Sequence, residues 1–474
     1  MAVTDLMFLF WFIPGALLVY YITRGKCREY VLLAVSLFFY ACGAPDYLFL
    51  LLLSLIINIF TGYLIAHFRE KIRVARFLLA MGVIYNLAIL FFFKYFDFVM
   101  LNLSKVFQQN YVSQNLLLPL GLSFFTFKAI SYLIDTYTGK IEVNNGVVKA
   151  ALYMSFFAQM QSGPLSRYND MFGRKDKCQE GRFSLFSEGV YRFVIGFNKK
   201  ILLANTLANI TQEAFDWGIK GELSTGFAWF GAVCYSMQLF FDFSGYSDMA
   251  IGISQMFGYR CPENFNYPYM TSSVSKFWHR WHITLGAWFR DYVYIPLGGS
   301  RVDTKFKLYR NLFVVWFLTG MWHGANWQFI FWGVTYFCVI AIEKTFDWPN
   351  RFKLRFVRIL YRLCVIVFVI FEWVIFRADG LKAGLEYAKV MILNTPNSLA
   401  DLRGIFLLKD NLVFVIVGIL LCFPIMPVIE KYLKKTEAST VIWNIGILAN
   451  VLLFLCAISF VVAGQNNPFA YANF

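Results

Sequence analysis

The sequence predicts an all-α polytopic membrane protein, and three observations predict it. Hydrophobic residues make up 59% of the 474-residue chain and charged residues only 15%, more apolar surface than a soluble fold of this length could hide. The apolar residues come in runs of about membrane-spanning length. The basic residues cluster between those runs: Arg24, Lys26 and Arg28; Arg69, Lys71, Arg73 and Arg76; Arg351, Lys353, Arg355 and Arg358; Lys431, Lys434 and Lys435. Loops of that kind stay cytoplasmic. A formal charge of +15 spread this way speaks against nucleic acid, which would call for one stripe or patch.

The first run, Leu6–Thr23, follows Asp5 and ends at Arg24. That charge order is the reverse of a signal peptide and predicts a first span with its N-terminus outside. Runs at 30–44 and 47–66 are split by the turn Gly43–Asp46, and 77–93 follows. Further runs lie at 115–134, 147–162, 186–208, 225–241, 312–342, 359–376, 411–429 and 442–464. With the basic loops 24–29, 67–76, 343–358 and 430–437 inside, 43–46, 94–114, 377–410 and the neutral tail 465–474 fall outside. Both termini are thus expected to be extracytoplasmic. The chain reads as one integral-membrane domain, 1–474, with peripheral spans in 1–110, the candidate chemistry in 115–345 and C-terminal spans in 355–465. Nine scattered cysteines without a CxxC pair predict neither a disulfide framework nor a thiolate metal site.

The middle is irregular. Residues 163–184 are polar, Asn198-Lys199-Lys200 interrupts an apolar run, and 258–311 holds no clean span. There Lys276, His279, Arg280, Arg290 and Asp291 alternate with Trp278, Trp281, Trp288, Phe289 and Tyr292. At helical spacing Trp278, His282, Leu285 and Phe289 form one stripe, and Lys276, His279 or Arg280, Ile283 and Arg290 another. Such a stretch lies in the interface or lines a polar cavity.

His323 lies within the uncharged run Leu312–Ile342, long enough to cross a bilayer. An ionisable group at that depth marks a functional site by default. Gly320 and Gly324 permit close approach or a broken helix, and Asn326 is placed to orient the imidazole. His279 and His282 lack the further ligands zinc needs, so no metal is expected. Lys276 and Arg280 could hold an anion such as a phosphate or a phosphopantetheine, or snorkel to lipid phosphates. Asp242 and Asp248 could do acid–base work, but satisfying nearby cations is the favoured reading. There is no GxSxG elbow and no Walker or Rossmann glycine motif.

Several blocks in order resemble the membrane-bound O-acyltransferase family. They are Leu118–Phe127, Ile130–Asp135, Phe241–Gly252, Ser275–Leu285, Trp288–Tyr292 and Trp322–Gly324. The block Tyr294–Arg301 is most similar to the bacterial branch that O-acetylates exopolysaccharides, alginate among them. The resemblance implies a ring of about eleven or more transmembrane helices, with re-entrant and interfacial helices, around a central funnel. It implies O-acetyl transfer with His323 as the catalytic histidine and His282 as the second. The donor would be acetyl-CoA or another acyl thioester, with no bound cofactor. Lys276, Arg280, Arg290, Asp242, Trp322 and Asn326 become candidates for substrate binding around the two histidines. The implied location is the bacterial cytoplasmic membrane, among lipids, with an extracytoplasmic SGNH-type acetyltransferase or acyl-acceptor protein as partner. His279 stands where relatives commonly carry Arg, so no role passes to it. Rival readings are D-alanyl or peptidoglycan acyl transfer, and a non-catalytic transporter or scaffold.

Overall fold

The computed structural model describes residues 2–141, 146–173, 182–392, 399–433 and 439–464. Lys434, Lys435, the tail 465–474 and part of the polar segment 163–184 lie outside them. All regular structure among the described residues is helical. The chain forms two compact units, Met1–Phe193 with Ser247–Pro262, and Val194–Tyr246 with Glu263–Phe474.

The first unit is built on helix Leu122–Tyr137, which is buried along almost its whole length. Helices Leu48–His67 and Ile72–Lys94 pack on it through glycines. A Cβ at Gly62 would meet the Tyr132 ring, and one at Gly82 would meet Leu133. The same two helices are cross-linked by a buried amide pair, Asn86 Nδ2 to Asn58 Oδ1 at 2.6 Å and the reverse at 3.2 Å. Interhelical amide bonds of this kind hold apolar helices where no hydrophobic drive exists between them. The helix Ile13–Ile22 opens with Pro14, whose missing N–H is accommodated by a π-helical turn at Phe8–Phe12.

The second unit carries helices Asn205–Lys220, Lys305–His323, Trp327–Phe346, Arg355–Arg377, Leu381–Ile392 and Ser439–Val462. Two short helices, Val274–Trp278 and Ile283–Phe289, lie between longer ones. The expected stripes of 276–290 therefore do not share one helix. Even so, His282, Leu285 and Phe289 are buried while Lys276, His279 and Arg290 are exposed.

Among the described residues, five helices are long and apolar enough to cross a membrane: Pro45–His67, Ile72–Lys94, Trp327–Phe346, Arg355–Arg377 and Thr440–Val462. A sixth crossing arises if Leu402–Asp410 and Leu412–Leu421, bent by 69°, form one span. This multi-pass membrane protein thus shows fewer full-length crossings than its apolar runs imply. Two of the runs are broken: 147–162 breaks at Phe156, with ψ 116°, and 115–121 is not helical.

Candidate active site

The uncharged run Leu312–Ile342 is two helices, and His323 is the last residue of the first. Its partner, Trp327–Phe346, starts after a three-residue turn. Glycines set the crossing. A Cβ at Gly320 would strike the Phe329 carbonyl oxygen, and one at Gly333 the Trp316 carbonyl oxygen. The two backbones are therefore in contact, as small residues allow in membranes. The helix ends at Gly324, where a Cβ would collide with the Phe329 ring.

The His323 ring is buried among three aromatic rings. Centroids lie 5.0 Å from Trp322, 5.0 Å from Trp332 and 5.1 Å from Phe376, at angles of 73° to 81°. Such edge-to-face packing restricts the imidazole to one orientation. Trp332 and Phe376 come from two different spans, Trp327–Phe346 and Arg355–Arg377.

His282 also packs near Trp322, their rings 6.0 Å apart, and its ring meets Phe243 at 4.6 Å in a T-shaped contact. Its backbone is left-handed, φ 44° and ψ 52°, at the entry to helix Ile283–Phe289. A non-glycine residue holds that conformation only where its surroundings enforce it. Asn264 does so. Its carbonyl accepts from Ile283 N at 3.0 Å, and its Oδ1 from Thr284 N at 3.2 Å and Thr284 Oγ1 at 2.8 Å. The backbone N–H of Thr284 can only donate, so the Asn264 atom it meets is the amide oxygen. His282 Nδ1, 3.1 Å from that oxygen, is therefore the protonated nitrogen, and Nε2 carries the lone pair. Burial pushes the His282 imidazole down to about 3, so it stays neutral at physiological pH.

Glu343 braces this assembly from the end of helix Trp327–Phe346. Its buried carboxylate accepts from Val274 N at 2.7 Å, Ser275 N at 2.8 Å and Tyr361 Oη at 2.6 Å. The segment leading to His282 is thereby tied to the two helices that flank His323. A tryptophan cluster fills the space between: Trp281 lies 4.8 Å from Trp373, and Trp278 5.4 Å from Trp332.

The sequence candidates divide. His323, Trp322 and His282 come together. Asp242 instead pairs with Lys200 at 2.5 Å, both buried; this is the charge-satisfying use weighed above. Asn326 is exposed and begins helix Trp327–Phe346, where no side-chain hydrogen bond caps the helix. Arg290 is exposed and bonded to Asp291 at 2.7 Å, and Arg280 donates to the Met270 carbonyl at 2.9 Å. Lys276 is exposed. His279 is exposed too, and burial of part of its ring with the nearby Arg290 and Lys344 charges pushes its imidazole below the ordinary range. Exposed cations therefore gather at this end of the site.

Sequence reasoning missed Asn264, Glu343, Phe376 and Glu372. A signal existed for the two acids. Glu343 ends the uncharged run that holds His323, and Glu372 is an ionisable group inside another apolar run.

A family model described as MBOAT, membrane-bound O-acyltransferase family, matches residues 143–383. The probable alginate O-acetylase AlgI of Pseudomonas aeruginosa is 39% identical over 81% of this chain and 74% of its own. The peptidoglycan O-acetyltransferase of Helicobacter pylori is 33% identical over 99% of this chain and 96% of its own. The teichoic acid D-alanyltransferase of Bacillus subtilis is 30% identical over 57% and 71%.

Proposed function

The chain belongs to the membrane-bound O-acyltransferase family and is a membrane O-acyltransferase; on that premise we propose that it moves an acetyl group from a cytoplasmic thioester across the membrane for O-acetylation of an exported glycan. The observation that carries this is the pair of buried imidazoles that both pack against Trp322, His323 clamped by rings and His282 with its Nδ1–H held by Asn264. The acceptor hydroxyl attacks the thioester carbonyl while His323 takes its proton, and the departing thiolate recovers that proton from the imidazolium. In the two-step form His323 carries the acyl group itself between donor and acceptor. Either form needs the neutral imidazole. His282 positions the donor or His323.

The exposed Lys276, Arg290 and Lys344, with His279 among them, suit the phosphates of acetyl-CoA or of a phosphopantetheine carrier. In this reading that end is cytoplasmic, since it adjoins the basic loop 343–358. The same reading carries a ring of about eleven crossings in the bacterial cytoplasmic membrane with both termini outside, to which the long apolar helices and the shorter Phe8–Ile22 would belong. An extracytoplasmic SGNH-type acetyltransferase would receive the acetyl group for an alginate-like polysaccharide. A second reading makes peptidoglycan the acceptor, and the near full-length match to the Helicobacter protein favours it.

The test compares His323→Ala with wild type at equal membrane abundance, counting ester-linked acetyl on purified exopolysaccharide and on peptidoglycan. Loss of acetyl from one of the two is expected and names the acceptor. Unchanged acetyl on both would leave a transporter or scaffold.

A further inference from the structure

Glu372 is a carboxyl group buried within the apolar helix Arg355–Arg377, at 5% exposure. No lysine, arginine or histidine among the described residues forms an ion pair with it. Its partner is Thr335, whose Oγ1 lies 2.9 Å from Glu372 Oε2. The same Oγ1 lies 2.8 Å from the carbonyl oxygen of Trp332. A hydroxyl has one hydrogen, and a backbone carbonyl can only accept. When Thr335 donates to Trp332, the second short contact is a hydrogen bond only if Glu372 supplies the hydrogen. Two acceptors facing one another at this distance in a buried site would be costly.

The location gives the chain of bonds a use. Thr335 stands one turn from Trp332 on one helix, and Glu372 one turn from Phe376 on the other. Trp332 and Phe376 are two of the three rings that flank His323. A bond from Glu372 through Thr335 to Trp332 fastens the two helices one turn away from the imidazole. Sliding or rotation of either helix would move a ring of the clamp.

We propose that Glu372 is a positioning residue for acyl transfer, a neutral carboxylic acid whose O–H closes the chain to Thr335 and the Trp332 carbonyl and so holds the rings that orient His323. This rests on His323 being the acyl-transfer residue.

The experiment measures acyl transfer from acetyl-CoA in inverted membrane vesicles carrying the full chain, at matched abundance. Glu372→Gln keeps the size and a donor, and is expected to keep kcat within about twofold. Thr335→Ser is expected to do the same. Glu372→Leu and Thr335→Val break the chain and should lower kcat about tenfold or more, with the half-saturating donor concentration unchanged. Full kcat in Glu372→Leu would overturn the proposal. So would a Gln variant as impaired as the Leu variant, since a charge would then be needed, or a loss seen only in donor affinity. His323→Ala is the separating control. If it transfers as well as wild type, the catalytic reading itself fails. If it is inactive while Glu372→Leu is normal, only the role of Glu372 fails.

Discussion

Each unit buries an ionisable nitrogen, and each surrounds it differently. In the first, Lys128 is 2% exposed and wrapped in dipoles. Its Nζ donates to Gln159 Oε1 at 2.8 Å and to the Tyr153 carbonyl at 3.2 Å, and it lies 5.4 Å from the Tyr153 ring centre. Gln159 in turn accepts from Ser166 Oγ at 2.6 Å and donates to Cys261 Sγ at 2.7 Å. In the second unit His323 is wrapped in rings, and His282 is held by Asn264 at Nδ1 and packs against Phe243. The difference is chemical. A ring of dipoles satisfies a buried donor and holds the surrounding helices in place. Rings fix the orientation of an imidazole by shape and edge-to-face contact, which suits the acyl-transfer role proposed for His323.

The contrast can be broken at Asn264. Asn264→Leu removes the acceptor that sets the His282 tautomer, and turnover should fall by about a hundredfold at normal abundance. A variant of normal turnover would mean that the tautomer does not matter. Lys128→Met tests the other side. Leaving Gln159 short of its donor should cost about 1–3 kcal/mol of stability, seen as a lower unfolding temperature and lower membrane abundance. Activity per surviving molecule should stay within about twofold; a large specific loss would make the Lys128 region part of the chemistry.

Acid sharpens the comparison further. In the unfolded chain His282 titrates near 6.5, and in the folded protein burial pushes it down to about 3. Below pH 6.5 the unfolded state therefore binds more protons at this site. Stability is intact above that pH and is lost as pH falls toward 3, by about 2 kcal/mol at pH 5. The unfolding temperature in detergent should drop between pH 7 and 5, and His282→Asn should flatten that slope. The smallest effect is expected at the surface. Lys276→Ala should raise the half-saturating donor concentration about two- to threefold at low salt and less at high salt. An effect that ignores salt would point away from anion binding.

Much of this was readable in advance for definite reasons. His323 stood out because an imidazole in an uncharged run is costly, and the flanking glycines announced the break that ends its helix. The same rule applied to Glu372 would have marked it as well. Asn264 carried no such signal: it is a polar residue in a polar loop, 18 positions from the ring it holds. Asp242 read as a counter-ion sooner than as an acid–base group, but the sequence does not say that Lys200 is the cation that faces it. The stripe of 276–290 divided its residues into buried and exposed, but periodicity could not reveal that the helix is interrupted at His282.

By itself the sequence determined the class of the protein, where its apolar runs lie, and which imidazole sits deep in an uncharged run. Those follow from the transfer cost of each residue type, which is local. The tertiary structure alone decided how the two histidines are presented. Their rings and hydrogen bonds involve Phe243, Asn264, Trp322, Trp332 and Phe376, brought from separate helices and a loop. Orientation and tautomer depend on which groups meet across the fold, and no local pattern encodes those meetings.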